Sequence, residues 1–375
     1  MKVAIVVNSA WAAYNFRFNL AKSLLNEGFE VVFIIPFDGK YSERLQLDFE
    51  CCNLNINPNS LNLFKELKTL FNLYIIYKKV KPNLICHFTI KLNIYGSIAS
   101  YLCGFPSIAN ITGLGSAFLN KGLFKFIAKF LYKFSLSFSS KVFLQNNDDL
   151  QYFLDEKVID KSKIELLPGS GVDLKKFKYN PTIKNKRFTF LMISRVIKDK
   201  GIYEYIEAIK IVRKISKYNS IVFQILGEVN SAHNLAIDKS QIDQWSDEGL
   251  IEYMGTSDQV ENYIIGCNCV VLPSYREGMP RAILEGFAIG RPCIVSDVAG
   301  CREIVEHKKN GLICEVKSSE DLANKMVTML ELSDHTREKY GKNGRKKIEN
   351  NFDEKNVINL YLKSIRNILR NEENI

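Results

Sequence analysis

Short apolar runs rich in Val, Ile and Phe alternate with longer amphipathic ones, and the alternation is run through twice. In the first half the strand-like runs lie at 2–7, 30–35, 83–88, 107–112, 141–144 and 163–167. Helical periodicity separates most of them, at 15–27, 61–79, 91–102 and 123–138. Strands alternating with helices imply a parallel sheet covered on both faces, so its strands are continuously apolar. At 175–186 the pattern stops: the segment is polar and basic, contains Pro181 and has no period, so it reads as a linker. Strand-like runs resume at 188–193, 221–226, 251–254, 269–273, 293–296 and 312–315. Helices are expected at 203–215, 259–265, 281–288 and 320–332, with a terminal helix at 356–369. A chain of 375 residues is also too long for one ordinary core. We therefore expect an α/β chain of two Rossmann-like, doubly wound domains facing each other across a cleft. The first domain would span 1–178 and the second 187–352, with a C-terminal helix in 353–375 packing back towards the first. In such sheets ligands bind beyond the carboxyl ends of the strands, and the cleft is the default site.

Composition narrows the class. With 46% hydrophobic and 25% charged residues the chain is a soluble globular protein in balance. No apolar run approaches the ~20 residues of a spanning helix. Residues 1–36 read as strand, helix, strand, and Arg17 and Lys22 interrupt any signal-like apolar stretch. The nine cysteines are odd in number and form no C-x-x-C, even at Cys267 and Cys269, so we expect reduced thiols in a cytoplasmic protein.

The net charge of +10 is unevenly placed. Between 61 and 141 stand eleven lysines, with Glu66 as the only acid, which equals the whole chain's excess. One face of the first half is thus expected to meet something anionic. Within it Lys121, Lys125, Lys129 and Lys133 recur every fourth residue, and Phe126, Phe130, Phe134 and Phe138 form a parallel stripe one residue on. Two readings are open: a domain helix with its lysines in solvent, or an interfacial helix on anionic lipid. The surrounding basic region favours the membrane. No nucleic-acid motif accompanies the charge, so nucleic acid is not the expected partner.

Two segments carry chemistry. The stretch 274–292, SYREGMPRAILEGFAIGRP, places Glu277 and Glu285 eight positions apart after an apolar strand. A Gly-Met-Pro turn between them opens a helix. Backbone N–H groups at such a helix start receive a phosphate, and carboxylates grip sugar hydroxyls. Glu285, near Leu284 and Phe287 on an otherwise apolar helix, reads as a buried, partnered carboxylate. The second segment, 194–201, SRVIKDKG, joins a strand to a helix and sets Arg195 and Lys200 at the carboxyl edge of the sheet. Two fixed cations there suit a diphosphate that gains negative charge as its sugar departs. No D-x-D occurs; Asp148 and Asp149 read as first-turn acids of a capped helix. We expect a metal-independent reaction, with Arg195 and Lys200 in place of a divalent ion and no cofactor beyond a nucleotide-sugar substrate.

Together these segments resemble retaining glycosyltransferases of family 4, which have two Rossmann-like domains in the GT-B arrangement, and the resemblance covers nearly the whole chain. It implies that Arg195 and Lys200 bind the donor's diphosphate. Glu277 would contact the donor sugar's hydroxyls, with the backbone N–H groups of Gly278 and Met279 close by, and Glu285 the ribose. Gly227-Glu228 match the family's Gly-acid turn near the nucleotide, and Ser257 would lie by the base. Glu277, Arg195 and Lys200 are then the catalytic set. The family also implies retention by front-side attack, the departing phosphate taking the acceptor's proton.

A narrower likeness lies in His87-Phe88-Thr89-Ile90-Lys91 with Tyr95-Gly96, in Thr112-Gly113-Leu114-Gly115, and in 297–303. These resemble a bacterial subgroup that acts on undecaprenyl-diphosphate-linked sugars, including enzymes that add N-acetylgalactosamine in O-antigen or protein-glycan assembly. Two features depart from the family. The first loop, 8–14, reads NSAWAAY without the usual glycine pair, so backbone approach to a phosphate is harder and Asn8 is expected to serve the acceptor. Thr112-Gly113 stands where many members carry His-Gly. His87 is left as a candidate on a first-domain loop, although a lone histidine is more often structural. Arg17, read as opening the first helix, would hold an acceptor phosphate or lie on the helix surface. The expected acceptor set is Asn8, Arg17, His87, Lys91, Thr112, Gly113 and Gly115.

The whole describes a cytoplasmic enzyme, peripheral on the inner face of the plasma membrane. It would move a hexose or N-acetylhexosamine, N-acetylgalactosamine foremost, from a UDP-sugar to a polyprenyl-diphosphate-linked glycan. Its rivals are a transferase with a soluble acceptor, an isomerase like the UDP-N-acetylglucosamine 2-epimerases, and a nucleotide-sugar-binding protein without catalysis.

Overall fold

The computed structural model describes residues 1–57, 62–113, 123–181, 187–229 and 235–373. The chain divides into two compact units: Met1–Ser170 with Val357–Ile375, and Gly171–Asn356.

The first unit is built on seven parallel strands: β1 Lys2–Val6, β2 Glu30–Ile35, β3 Glu50–Asn53, β4 Leu84–Phe88, β5 Ser107–Ile111, β6 Lys141–Leu144 and β7 Ile164–Leu166. Their order is β3-β2-β1-β4-β5-β6-β7, with Val3 opposite Val31 on one side and Leu84 on the other. The order reverses between β1 and β4. Every residue of β4 and β5 is buried, as befits strands covered on both faces. β3 has no expected counterpart: at the sheet edge its Glu-Cys-Cys-Asn sequence is only half-buried, so no apolar run marks it.

The first helix, Ala10–Asn26, starts five residues before its expected bound because Ser9 caps it, accepting from the Ala12 N–H. The helical run expected at 91–102 divides into a π-helical turn, Leu92–Gly96, and an α-helix, Ser97–Cys103. The terminal helix, Glu354–Glu373, lies in the first unit from Val357 onwards. Val357, Tyr361, Ile365 and Leu369, spaced four apart on one face, join the core formed with the first helix. The Tyr361 ring stands edge-on to Phe143 at 4.8 Å, and its hydroxyl accepts from the Asn110 amide.

The second unit holds six parallel strands: β8 Thr189–Ile193, β9 Val222–Leu226, β10 Glu252–Tyr253, β11 Cys269–Leu272, β12 Cys293–Ser296 and β13 Gly311–Cys314. They lie in the order β10-β9-β8-β11-β12-β13, reversing between β8 and β11. The described part of the supposed linker packs within this unit. Phe177 is buried, the Asn180 N–H donates to the Ile289 carbonyl at 2.9 Å, and Arg291 donates to the Asn180 carbonyl at 2.7 Å. Helix Asp334–Asn351 is another addition: its buried residues include Tyr340, Gly341, Gly344 and Ile348, too few and too small to leave a strong period. All nine cysteines are free thiols. Among the described residues no helix is long and apolar enough to cross a membrane.

Candidate functional site

Strand order reverses between β8 and β11, the point at which such sheets bind ligands beyond their carboxyl edge, and both chemistry-bearing segments leave from it. After β8 the loop is pinned by its backbone, the Val196 N–H donating to the Glu228 carbonyl at 2.9 Å and the Lys198 N–H to Leu235 at 2.9 Å. Val196 and Ile197 are buried beneath it. Arg195 is exposed and makes no ion pair among the described residues. A short 3-10 turn, Lys198–Lys200, ends at Gly201 with φ 74° and leads into helix Ile202–Arg213.

Two glycines allow the loops to close on each other. A Cβ at Gly201 would lie 2.1 Å from the Pro273 carbonyl oxygen, and one at Gly227 would lie 1.7 Å from that of Ser194. The Tyr275 N–H then donates to the Asp199 carbonyl at 2.9 Å, tying the β11 loop to the β8 loop. This brings Lys200 Nζ to 2.5 Å from Glu277 Oε1, with the two side chains 19% and 10% exposed. The structure thus joins one member of each sequence segment, 77 residues apart, in a half-buried ion pair. Gly227 and Glu228 flank the same loop, the Gly227 N–H donating to Gly255 at 2.7 Å and its carbonyl accepting from the Tyr253 hydroxyl at 2.8 Å. Ser257, beyond β10 at the same edge, accepts from the Gln259 N–H at 3.0 Å.

Gly278 and Met279 are half-buried and lead into helix Arg281–Ile289, which starts after Pro280 without a side-chain cap. Its first backbone N–H groups are not claimed by a capping side chain, the condition under which a helix start receives an anion. Glu285 lies one turn in and is buried, as its apolar surroundings predict. Burial pushes its carboxyl pKa up, and Arg281, donating Nε to Oε1 at 3.0 Å, opposes the shift. Glu277 and Glu285 therefore have separate cations, Lys200 and Arg281. Further along, Asp297 pairs with Arg302 at 2.8 Å on the surface.

Sequence reasoning missed Tyr275, whose hydroxyl donates to Glu204 Oε1 at 2.7 Å, and Arg281, which also donates to the Gly171 carbonyl at 3.0 Å. Both lie inside the 274–292 segment, but their partners are 71 and 110 positions away. No local pattern joins such positions.

The first unit differs from expectation in three places. His87 is not on a loop: it lies within β4, fully buried, with Nε2 2.9 Å from the Tyr77 hydroxyl. Burial lowers its pKa to about 3, so the ring is neutral. Arg17 does not open its helix but lies in the interior, 5% exposed, its guanidinium 4.1 Å over the Phe88 ring. Lys91 is paired with Glu66 at 2.6 Å, the side chains 15% and 8% exposed, and donates to the Asn57 carbonyl at 2.8 Å. Asn8 is half-buried after β1, and Thr112, exposed, precedes Gly113 after β5; Gly115 lies outside the described residues.

The helix of the phenylalanine stripe spans Leu123–Leu136. It buries Tyr132 and Leu136 and exposes Phe126, Phe130 and Phe134, while Phe138 beyond it stacks on Tyr101 at 4.3 Å. Lys133 is exposed and Lys129 pairs with Glu156; Lys121 and the Lys125 side chain lie outside the described residues. Helix Leu63–Val80 adds a second exposed stripe at helical spacing, Phe64, Leu67, Phe71 and Ile75, beside exposed Lys65, Lys68, Lys78 and Lys79. Glu66, the region's one acid, is turned inward to Lys91.

Residues 174–347 match the model of the glycosyl transferases group 1, and residues 2–146 that of glycosyl transferase 4-like proteins. The chain is 28% identical to the N,N'-diacetylbacillosaminyl-diphospho-undecaprenol alpha-1,3-N-acetylgalactosaminyltransferase of Campylobacter jejuni, over 99% of this chain and 100% of that protein. It is also 28% identical to the UDP-Gal:alpha-D-GlcNAc-diphosphoundecaprenol alpha-1,3-galactosyltransferase of Escherichia coli, over 88% and 87% of the two chains. Among solved structures, Anabaena Alr3699/HepE in complex with UDP superposes with a TM-score of 0.79 at 18% identity, covering 98% of this chain and all of its own. Sucrose-phosphate synthase from Thermosynechococcus elongatus gives 0.80 at 18% identity, covering 99% of each chain.

Proposed function

We propose that this chain, which matches the glycosyl transferases group 1 model over 174–347 and the glycosyl transferase 4-like model over 2–146 and has the two Rossmann-like units of the GT-B fold, moves a hexose or N-acetylhexosamine from a UDP-sugar to a polyprenyl-diphosphate-linked glycan. The observation that carries this reading is the convergence of the 194–201 and 274–281 segments where the second sheet reverses, with Arg195 exposed and Lys200 paired to Glu277. Arg195 and Lys200 take the donor diphosphate. Its arrival offers Lys200 a stronger anionic partner and frees the Glu277 carboxylate to accept hydrogen bonds from sugar hydroxyls. As the glycosidic bond to the donor breaks, negative charge builds on the departing phosphate, and the two cations, already in place, stabilise it. That phosphate takes the acceptor hydroxyl's proton on the same face, so the anomeric configuration is retained and neither a protein base nor a metal is required. Glu285 holds the ribose, Gly227, Glu228 and Ser257 line the nucleotide, and Gly278 and Met279 lie along the sugar.

The lipid-linked acceptor and the donor rest on the relatives: one is named for N-acetylgalactosamine transfer and the other for UDP-galactose, and both names include a diphosphoundecaprenol acceptor. Radiolabelled UDP-N-acetylgalactosamine, UDP-galactose and UDP-N-acetylglucosamine should be offered with undecaprenyl-diphosphate-linked acceptors, with and without EDTA. Transfer to lipid from one of the first two, unaffected by EDTA, is the expected result. Transfer only to water-soluble glycans, or none from any donor, would overturn the reading.

We place the enzyme at the inner face of the plasma membrane, docked on anionic lipid through the first unit. The support is charge complementarity: two helices, Leu63–Val80 and Leu123–Leu136, present exposed aromatic stripes beside exposed lysines. Sedimentation with phosphatidylglycerol-containing vesicles should fall in high salt and in Phe64→Ser/Phe71→Ser. Equal binding to neutral vesicles would count against it.

A further inference from the structure

One side chain joins the two loops of the donor site and has no part in the roles above. Tyr275 stands two residues before Glu277, and Asp199 one residue before Lys200. The Tyr275 N–H donates to the Asp199 carbonyl at 2.9 Å. Its hydroxyl reaches past Lys200 and donates to Glu204 Oε1 at 2.7 Å, in the first turn of helix Ile202–Arg213. Lys317 Nζ lies 4.7 Å from the centre of its ring. One residue of the β11 loop thus grips the β8 loop at two points, 199 and 204, that bracket Lys200.

The two grips differ in kind. Any residue at 275 except proline keeps the backbone bond, but the second needs the phenol hydroxyl. Without it the two loops are joined by the backbone hydrogen bond, by the Lys200–Glu277 pair and by the close approach of Gly201 to Pro273. Glu204 suits the task because Oε2 is buried without a hydrogen-bond partner, so the phenol is the partner its carboxylate shows. Burial and the neighbouring carboxylate both raise the Tyr275 pKa, which keeps the donating proton on the phenol throughout the physiological range.

We propose that Tyr275 is a positioning residue, clamping the β8 loop to the β11 loop through Asp199 and Glu204 so that Lys200 and Glu277 meet the donor in one fixed arrangement. The proposal rests on the donor-site assignment of Lys200 given above. Its effect is on geometry: a shift of about 1 Å in a group that must follow developing charge costs up to ~100-fold in rate.

The test uses the full chain with its donor and lipid-linked acceptor. Tyr275→Phe should lower kcat by about 10- to 100-fold, the scale of such misplacement, and Glu204→Leu should reproduce the loss. Glu204→Gln, whose amide oxygen still accepts from the phenol, should recover most of it. The deciding measurement is Tyr275→Phe in a Lys200→Ala background. If Tyr275 acts through Lys200, the double variant is no slower than Lys200→Ala alone; a general loss of folded protein would multiply instead. Multiplying effects, or an unchanged kcat in Tyr275→Phe while Lys200→Ala is crippled, would overturn the clamp and leave the donor site standing. Near-normal turnover in Lys200→Ala would instead overturn the donor assignment and the clamp with it. Should Tyr275→Phe not fold, Glu204→Leu carries the same comparison.

Discussion

The carboxyl edges of the two sheets have the same plan and opposite content. Both sheets are fully parallel and both reverse strand order once, between β1 and β4 in the first and between β8 and β11 in the second. At the second edge the charged groups remain within reach of a ligand: Arg195 is exposed, and Lys200 and Glu277 are half-buried in a pair that a diphosphate can rearrange. At the first edge the corresponding polar groups serve the fold. Arg17 lies under the surface against Phe88, His87 is sealed against Tyr77, and Lys91 neutralises Glu66. Glycine accounts for part of the difference. Gly201 and Gly227 let backbone press on backbone at the second edge, whereas the first loop, NSAWAAY, has none. A shared topology offers a site at each reversal; side-chain packing decides which charged groups a ligand can reach there.

The contrast breaks most visibly under charge removal. Lys200→Ala should lower turnover a hundred- to thousandfold, the usual cost of losing one preorganised stabilising group, with the fold kept. Lys91→Met should act on stability, because it leaves Glu66 desolvated and alone. A loss of about 2–3 kcal/mol in urea unfolding is expected, below the value for a fully buried pair because Lys91 keeps some solvent contact. Adding Glu66→Gln should restore part of it. An unchanged midpoint in Lys91→Met would mean that the first edge is not held by this pair.

A smaller effect tests the sealed histidine. His87 is protonated only near pH 3 in the folded chain and near 6.5 when unfolded, so folding is favoured above 6.5 and loses that advantage as pH falls. Between pH 6.5 and pH 5 this amounts to about 2 kcal/mol. His87→Gln should flatten that slope when chemical denaturation is followed at the two pH values. A slope that persists would show that His87 is reached by water.

Local order was legible in the sequence because it is written locally. Apolar runs marked twelve of the strands, and β3 escaped only because an edge strand need not be apolar. Helix Asp334–Asn351 escaped because glycines supply half of the buried residues named on its face and carry no hydrophobic signal. Arg17 was misplaced because a helix start is fixed by its cap, here Ser9, rather than by the first periodic residue. The phenylalanines of Leu123–Leu136 were visible as a stripe, but whether that stripe faces the core depends on which neighbours cover it, and here Tyr132 and Leu136 fill that place.

By itself the sequence determined two parallel sheets and the residue types of the proposed donor site, since strand–helix alternation and the spacings of Arg195 with Lys200 and Glu277 with Glu285 are all contained in short windows. Only the tertiary structure decided the partners: Lys200 with Glu277, Tyr275 with Glu204, Glu285 with Arg281 held at Gly171, and Lys91 with Glu66. Apart from Arg281 with Glu285, one helical turn apart, these contacts link positions far apart along the chain, and burial at each depends on elements from elsewhere in the fold. Periodicity records which face a residue takes, but only packing determines what meets that face.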